Sequence, residues 1–162
     1  MTNDELLCAT ALDTWKQVIK RATNKISSLT DDQLRIAVAP GRNRVIYLLG
    51  HLTVANDRMS PLLRIGERKH PELDAAFFDN PDRAVEHSFS PEALRVAWDE
   101  VNRTLLEAMS QLTPAQWLER HASVSEEDFV REPLRNRLAI LLSRTNHASF
   151  HFGQIILATE KA

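Results

Sequence analysis

The sequence predicts an all-α fold built on four long helices, and three observations lead there. Apolar residues recur three and four positions apart in four separate stretches, the spacing that lines one face of a helix. Only four glycines occur in 162 residues, and the alternating β-branched runs of a half-buried strand are few. Helix-start signals, a small polar residue with an acid or glutamine shortly after it, punctuate the chain.

The first helix is expected from about Asp4 to Ser27, on the stripe Leu7, Ala11, Trp15, Val18, Ala22 and Ile26. Leu29-Thr30-Asp31-Asp32-Gln33 follows, where Thr30 and Gln33 have capping-box spacing and predict a short extra turn. Pro40 and Gly41 then break the chain. Asn43 is the expected N-cap of the second helix, which runs through Val45, Leu48, Leu49, Leu52, Ala55 and Met59. Pro61 should end or kink it, because proline lacks the backbone donor and crowds the preceding turn; Gly66 is the expected stop.

Residues 67–90 carry Pro71, Pro81 and many charges around Phe77 and Phe78, and are read as a long surface connection pinned at its aromatics. Ser90-Pro91-Glu92 opens the third helix with a capping serine, a proline in its first turn and an acid near the positive end of its dipole. The stripe is Leu94, Ala97, Trp98, Val101, Leu105, Ala108 and Met109. Leu112-Thr113-Pro114-Ala115-Gln116 repeats the earlier box, and the fourth helix is expected from near Asn136 to about Thr159. Arg135-Asn136-Arg137 also repeats Arg42-Asn43-Arg44. The two halves therefore read as helix, capped turn and helix twice over, two hairpins about a pseudo-twofold axis joined by the 67–90 connection. Trp15, Trp98 and Trp117 lie on or beside the stripes and are expected in the core.

Residues 1–162 are the length of a single domain. With 43% apolar and 26% charged residues the chain can bury a core, which excludes wholesale disorder. A formal net charge of −2 argues against a nucleic-acid partner. The longest apolar run is the five residues Leu138–Leu142, against about 20 for a membrane helix, so no membrane partner is expected. No basic segment followed by an apolar stretch opens the chain. Cys8 is the one cysteine, which excludes an internal disulfide framework and a cysteine zinc cluster; it is read as a small buried hydrophobe. A cytoplasmic setting fits these features.

Six histidines carry the chemistry that can be read. His70, His87 and His121 lie in polar segments and are expected at the surface. His51 sits mid-helix in Leu48-Leu49-Gly50-His51-Leu52. His147 and His151 are four apart and share one helix face, so both can reach one ion. No glutamate follows His147, which excludes the H-E-x-x-H protease pattern. If the second and fourth helices are neighbours, His51 joins the pair, and three imidazoles with open positions are the layout of a catalytic metal site. Neutral imidazole suits Zn, Ni or Fe(II). The other reading of these residues is hydrogen-bonded core histidines. Asn146, Asp57, Arg58 and Arg144 are nearby polar candidates: Asn146 to orient substrate or water, Asp57 and Arg58 to line the mouth or form a surface ion pair, Arg144 to project into the cavity.

The pattern LLGHL followed by His147-Ala148-Ser149-Phe150-His151-Phe152-Gly153-Gln154 resembles the DinB-like (YfiT-like) superfamily of metal-dependent helical proteins, over essentially the whole chain. The resemblance implies a four-helix bundle of up-down-down-up topology with a long connection between the second and third helices. It also implies a divalent metal ion on His51, His147 and His151, and a homodimer. For activity it implies thiol-dependent chemistry on a small-molecule substrate, with a low-molecular-weight thiol transferred to an electrophile or assisting an isomerisation. Metal-assisted hydrolysis is the competing reaction, and a non-catalytic helical dimerisation or binding module with structural or vestigial histidines is the alternative function. The related motif often carries a basic residue after the last histidine; Phe152 stands there, so no anionic contact is expected from that position.

Overall fold

The computed structural model describes residues 1–160, and their regular structure is helical, with no strand among the described residues. In chain order the helices are α1 (Asn3–Ser28), α2 (Asp31–Leu34), α3 (Val45–Asp57), α4 (Met59–Leu62), α5 (Asp74–Phe77), α6 (Pro91–Met109), α7 (Pro114–Trp117), α8 (Glu126–Arg131) and α9 (Arg137–Thr159). A 3-10 turn, Pro71–Leu73, leads into α5.

Local chemistry sets most of the boundaries. Thr2 and Glu5 close a capping box at the start of α1. Thr30 with Gln33 and Thr113 with Gln116 close the two expected boxes at α2 and α7. The Ser90 hydroxyl accepts from the Ala93 amide and the Asn136 side chain from the Ala139 amide, so α6 and α9 begin where their caps predict. The repeat is visible in the backbone: an isolated antiparallel bridge, Ala37 to Arg44, precedes α3, and another, Arg120 to Asn136, precedes α9.

The second helix differs from its expected bounds. Its N-cap is Arg44, not Asn43, and no side chain caps it. Asp82, from the distant connection, instead accepts from the Arg44 amide at 2.8 Å and pairs with its guanidinium. The regular ladder stops at Asp57, four residues before Pro61, because proline has no N–H to give the Asp57 carbonyl. Leu7 is 67% exposed, and Cys8 takes the buried position at that end of α1. The helix α8 was not expected; Ser125, accepting from the Asp128 amide, and three acids in the first turn are its local signal.

Each long helix packs mainly on the other half of the chain: α1 on α9 and α6, and α3 on α6 and α9. The hairpin partners α1 and α3, and α6 and α9, are not among the closely packed pairs. The core is one cluster holding Trp15, Trp98 and Trp117, each at most 2% exposed. Trp98 donates from its indole to the Thr23 hydroxyl at 2.7 Å. Between α3 and α6 the Asn56 amide donates to the Asn102 carbonyl oxygen at 2.8 Å, a buried polar pair within an apolar seam.

The 67–90 connection is more than a surface strap. Leu73, Ala76 and Phe77 are buried, and Phe77 is 1% exposed. Asp57, itself 1% exposed, accepts from the Arg68 guanidinium and from the amides of Lys69 and His70. Tyr47 donates to the Asn80 carbonyl, and Arg58 and Arg68 both pair with Asp74. These bonds hold the connection down on α3.

Candidate metal centre

His51 lies midway along α3, a helix with almost every residue buried, and its ring points toward α9. His147 and His151 stand one turn apart on the facing side of α9. The Nε2 atom of His147 is 3.2 Å from Nε2 of His51 and 3.1 Å from Nε2 of His151. All three rings offer nitrogens within 4.8 Å of one another and are half-buried.

The outer edges of two rings are tied down. The Phe77 carbonyl accepts from Nδ1 of His51 at 3.0 Å, and Oε1 of Gln154 accepts from Nδ1 of His151 at 2.8 Å. In the neutral rings these bonds leave both Nε2 atoms as bare lone pairs turned inward. Nδ1 of His147 is buried without a partner. With its proton on Nε2, His147 can serve only one of the two facing lone pairs; with its proton on Nδ1, three lone pairs meet and the buried N–H is orphaned. A cation at the meeting point satisfies all three Nε2 atoms. Imidazole nitrogens about 2.1 Å from one tetrahedral ion lie roughly 3.4 Å apart, close to the spacings present. The donor set therefore fits a divalent ion.

The electrostatics favour neutral rings. Burial lowers His147 to about 4, and the neighbouring His151, His51 and Arg144 add to the shift. Burial also lowers His51 against the opposing bond to Phe77, with His151 and Arg144 lowering it further.

Packing around His51 explains its glycine neighbour. A Cβ on Gly50 would overlap the Phe77 ring. Glycine in a helix interior costs about 1 kcal/mol relative to alanine, and here its absent side chain admits the residue whose carbonyl orients His51. Phe78 stacks on His51 with centroids 5.5 Å apart, and the Arg58 guanidinium lies over the Phe78 ring, 3.9 Å from its centroid. Past His151 a cleft of about 590 Å³ opens, lined by Val38, Leu48 and Leu157 with Arg42 and Gln154.

The structure brings the three predicted histidines together and redistributes the other candidates. Asp57 is neither at the mouth nor at the surface but beneath the connection. Arg58 pairs with Asp74 and Asp79. Asn146 is exposed, and its side chain makes no hydrogen bond to a described residue. Arg144 is half-buried on the same face of α9 as His147. His121 is buried, not at the surface, and its Nδ1 accepts from the Ser123 amide at 3.3 Å. His70 bonds Glu72 and Glu100, and His87 packs on Phe77. Cys8 is buried, and burial followed by the charge of Asp4 raises its thiol pKa, as suits an unreactive side chain. Sequence reasoning missed Phe77, whose contribution is a backbone carbonyl, and Gln154, whose spacing three residues after His151 was the available signal.

The sequence profile of the DinB superfamily matches residues 14–155. No curated protein matches the chain in sequence. Among solved structures, the crystal structure of a conserved protein from Enterococcus faecalis has a similar fold, with a TM-score of 0.65 at 18% identity over 99% of each chain. No described helix is long and apolar enough to cross a membrane.

Proposed function

Because the chain belongs to the DinB superfamily and sets three imidazoles around one point, we propose that it is a metal-dependent enzyme acting on a small molecule, with His51, His147 and His151 as ligands of one divalent ion. One observation carries the reading: the Nε2 atoms of His51 and His151 face His147 while the opposite ring edges are bonded to Phe77 and Gln154. Partners on the far side of the ring fix the tautomer that a ligand histidine needs. Zn, Ni and Fe(II) all suit three neutral imidazoles.

When bound, such an ion supplies Lewis acidity and a water or thiol of lowered pKa. The chain's own part is positional. The Phe77 carbonyl and Gln154 hold the rings in register, Phe78 covers one side of His51, and the cleft beyond His151 leaves an approach from solvent. The family resemblance implies thiol-dependent chemistry, in which a low-molecular-weight thiol is transferred to an electrophile or assists an isomerisation, and metal-assisted hydrolysis is the competing reaction.

The ring of contacts α1–α9–α3–α6 supports reading the four long helices as an up-down-down-up bundle forming one domain. A homodimer in the cytoplasm belongs to the same proposal. Elemental analysis of protein purified without an affinity tag tests the metal. About one ion per chain, lost in His147→Ala, is the expected result. No bound metal, with thermal stability unmoved by added Zn or Ni, would leave the non-catalytic helical module in its place, since an ion that binds the native state must raise its stability.

A further inference from the structure

Seven arginines of the described residues are withdrawn from full exposure: Arg44, Arg58, Arg68, Arg95, Arg120, Arg137 and Arg144. Six of them meet a carboxylate: Arg44 meets Asp82, Arg58 and Arg68 meet Asp74, Arg95 meets Asp31, Arg120 meets Glu126 and Arg137 meets Glu119. Arg144 meets none. Its side chain has no ion pair or hydrogen bond to any described residue; its Nε is buried without a partner, as are those of Arg58, Arg95 and Arg137, whose terminal nitrogens are paired. Partly withdrawing a charged group from water costs free energy that a carboxylate partner offsets in the other six.

Arg144 is also the one of the seven that stands beside the imidazoles. It lies three residues before His147 and seven before His151, so the three side chains leave one face of α9, with Arg144 about 4.5 Å along the axis from His147. The charged group next to it is Arg58, whose own charge is engaged by Asp74 and Asp79. Arg144 thus presents a positive charge with no carboxylate paired directly to it, in a planar fork of donors that matches two coplanar oxygens.

We propose that Arg144 is the substrate-recognition residue of this site, binding the carboxylate of a small molecule whose reacting atoms lie against the three imidazoles. A single free guanidinium matches a monoanion, which favours a carboxylate over a phosphate dianion. The proposal rests on the metal-enzyme reading for the place of the reacting atoms, but its test does not need the metal.

The full chain, freed of metal with a chelator, is titrated with benzoate, with neutral benzamide and with inorganic phosphate. Thermal stability and the NMR signal of the Arg144 Nε–H are followed. Benzoate is expected to shift that signal saturably and raise the melting temperature, and benzamide to do neither. Arg144→Gln should bind benzoate at least about tenfold more weakly, the loss of one charge-assisted pair, while still taking up Zn. Arg144→Lys should retain part of the affinity. Equal benzoate affinity in wild type and Arg144→Gln, equal binding of benzamide, or tighter binding of phosphate than of benzoate overturns the assignment. Should Arg144→Gln fail to fold, the wild-type Nε–H titration and Arg144→Lys decide it. Failure of the metal reading would show separately, as metal content unaffected by His147→Ala.

Discussion

The two sides of the imidazole cluster are built on opposite principles. On the α3 side, the 67–90 connection is tied down by Asp57, Asp74 and Asp82, which between them engage Arg44, Arg58 and Arg68. On the α9 side, Nε of Arg144 and Nδ1 of His147 are buried with nothing opposite them, and a cleft opens past His151. Satisfied polar groups make a wall rigid, whereas unsatisfied ones are free energy left for a ligand. The contrast separates a positioning side from a receiving side, and substitutions on the two sides should differ in kind.

The largest loss of stability should come from the positioning side. Asp57→Ala removes a 1%-exposed acceptor, strands two amides and leaves Arg68 with Asp74 alone, at a cost of about 2–4 kcal/mol by urea denaturation. A loss below about 0.5 kcal/mol would mean that the connection is not held through this carboxylate. Gly50→Ala should come next, because the added methyl meets the Phe77 ring. Overpacking of this kind costs about 1–3 kcal/mol, and displacing the carbonyl that orients His51 should weaken Zn affinity about 10- to 100-fold. Unchanged Zn affinity in a destabilised Gly50→Ala would detach Phe77 from the site.

Acid should act first on the imidazoles and then on the ion pairs of the connection. His51 and His147 are lowered in the fold from an ordinary value of 6.5, His147 to about 4. Between those values the unfolded chain binds more protons than the native one, so the metal-free protein should lose stability as pH falls through that window. Metal should be released over a falling pH range as well, since protons compete for the ligands. Asp74 is held below 3.8, chiefly by its bonds to Arg68. Its contribution is present above that value and is lost as pH falls below it. Urea midpoints measured from pH 8 to pH 3 should show both declines, the first reduced in His147→Ala and the second in Asp74→Asn.

The smallest effects should lie on the receiving side. Arg144→Gln removes an unpartnered, half-buried charge and strands no partner, so it should lower stability by less than about 0.5 kcal/mol or raise it slightly. A loss above about 2 kcal/mol would show that Arg144 is structurally paired and would erase the distinction between the sides.

Much of this molecule is local, and what is local could be read in advance. The caps at Thr30, Thr113 and Ser90 act over three residues and follow from capping-box spacing or from the Ser-Pro-Glu run, and the start of α9 near Asn136 is equally local. The stripes of α1, α3 and α6 follow from helical periodicity, and where the reading slipped, at Leu7 for Cys8 or at Asn43 for Arg44, the competitor was a tertiary contact. His147 and His151 were bound to share a face because four residues make about one turn. The same arithmetic put Arg144 on that face, although not whether it would find a partner.

Tertiary structure decided the rest. His51 lies 96 residues from His147, and no spacing rule spans that distance; the packing of α3 against α9 joins them. The expected hairpins became cross-half pairs because helix periodicity says which face is apolar but not which apolar face will cover it. Phe77 serves through a carbonyl, a group every residue carries, so nothing in its side chain announces it. By itself the sequence determined the helices, their caps and which rings could act as ligands, since those depend on neighbours along the chain. Which rings meet, and which charges are left without a partner, depended on how the helices pack in three dimensions.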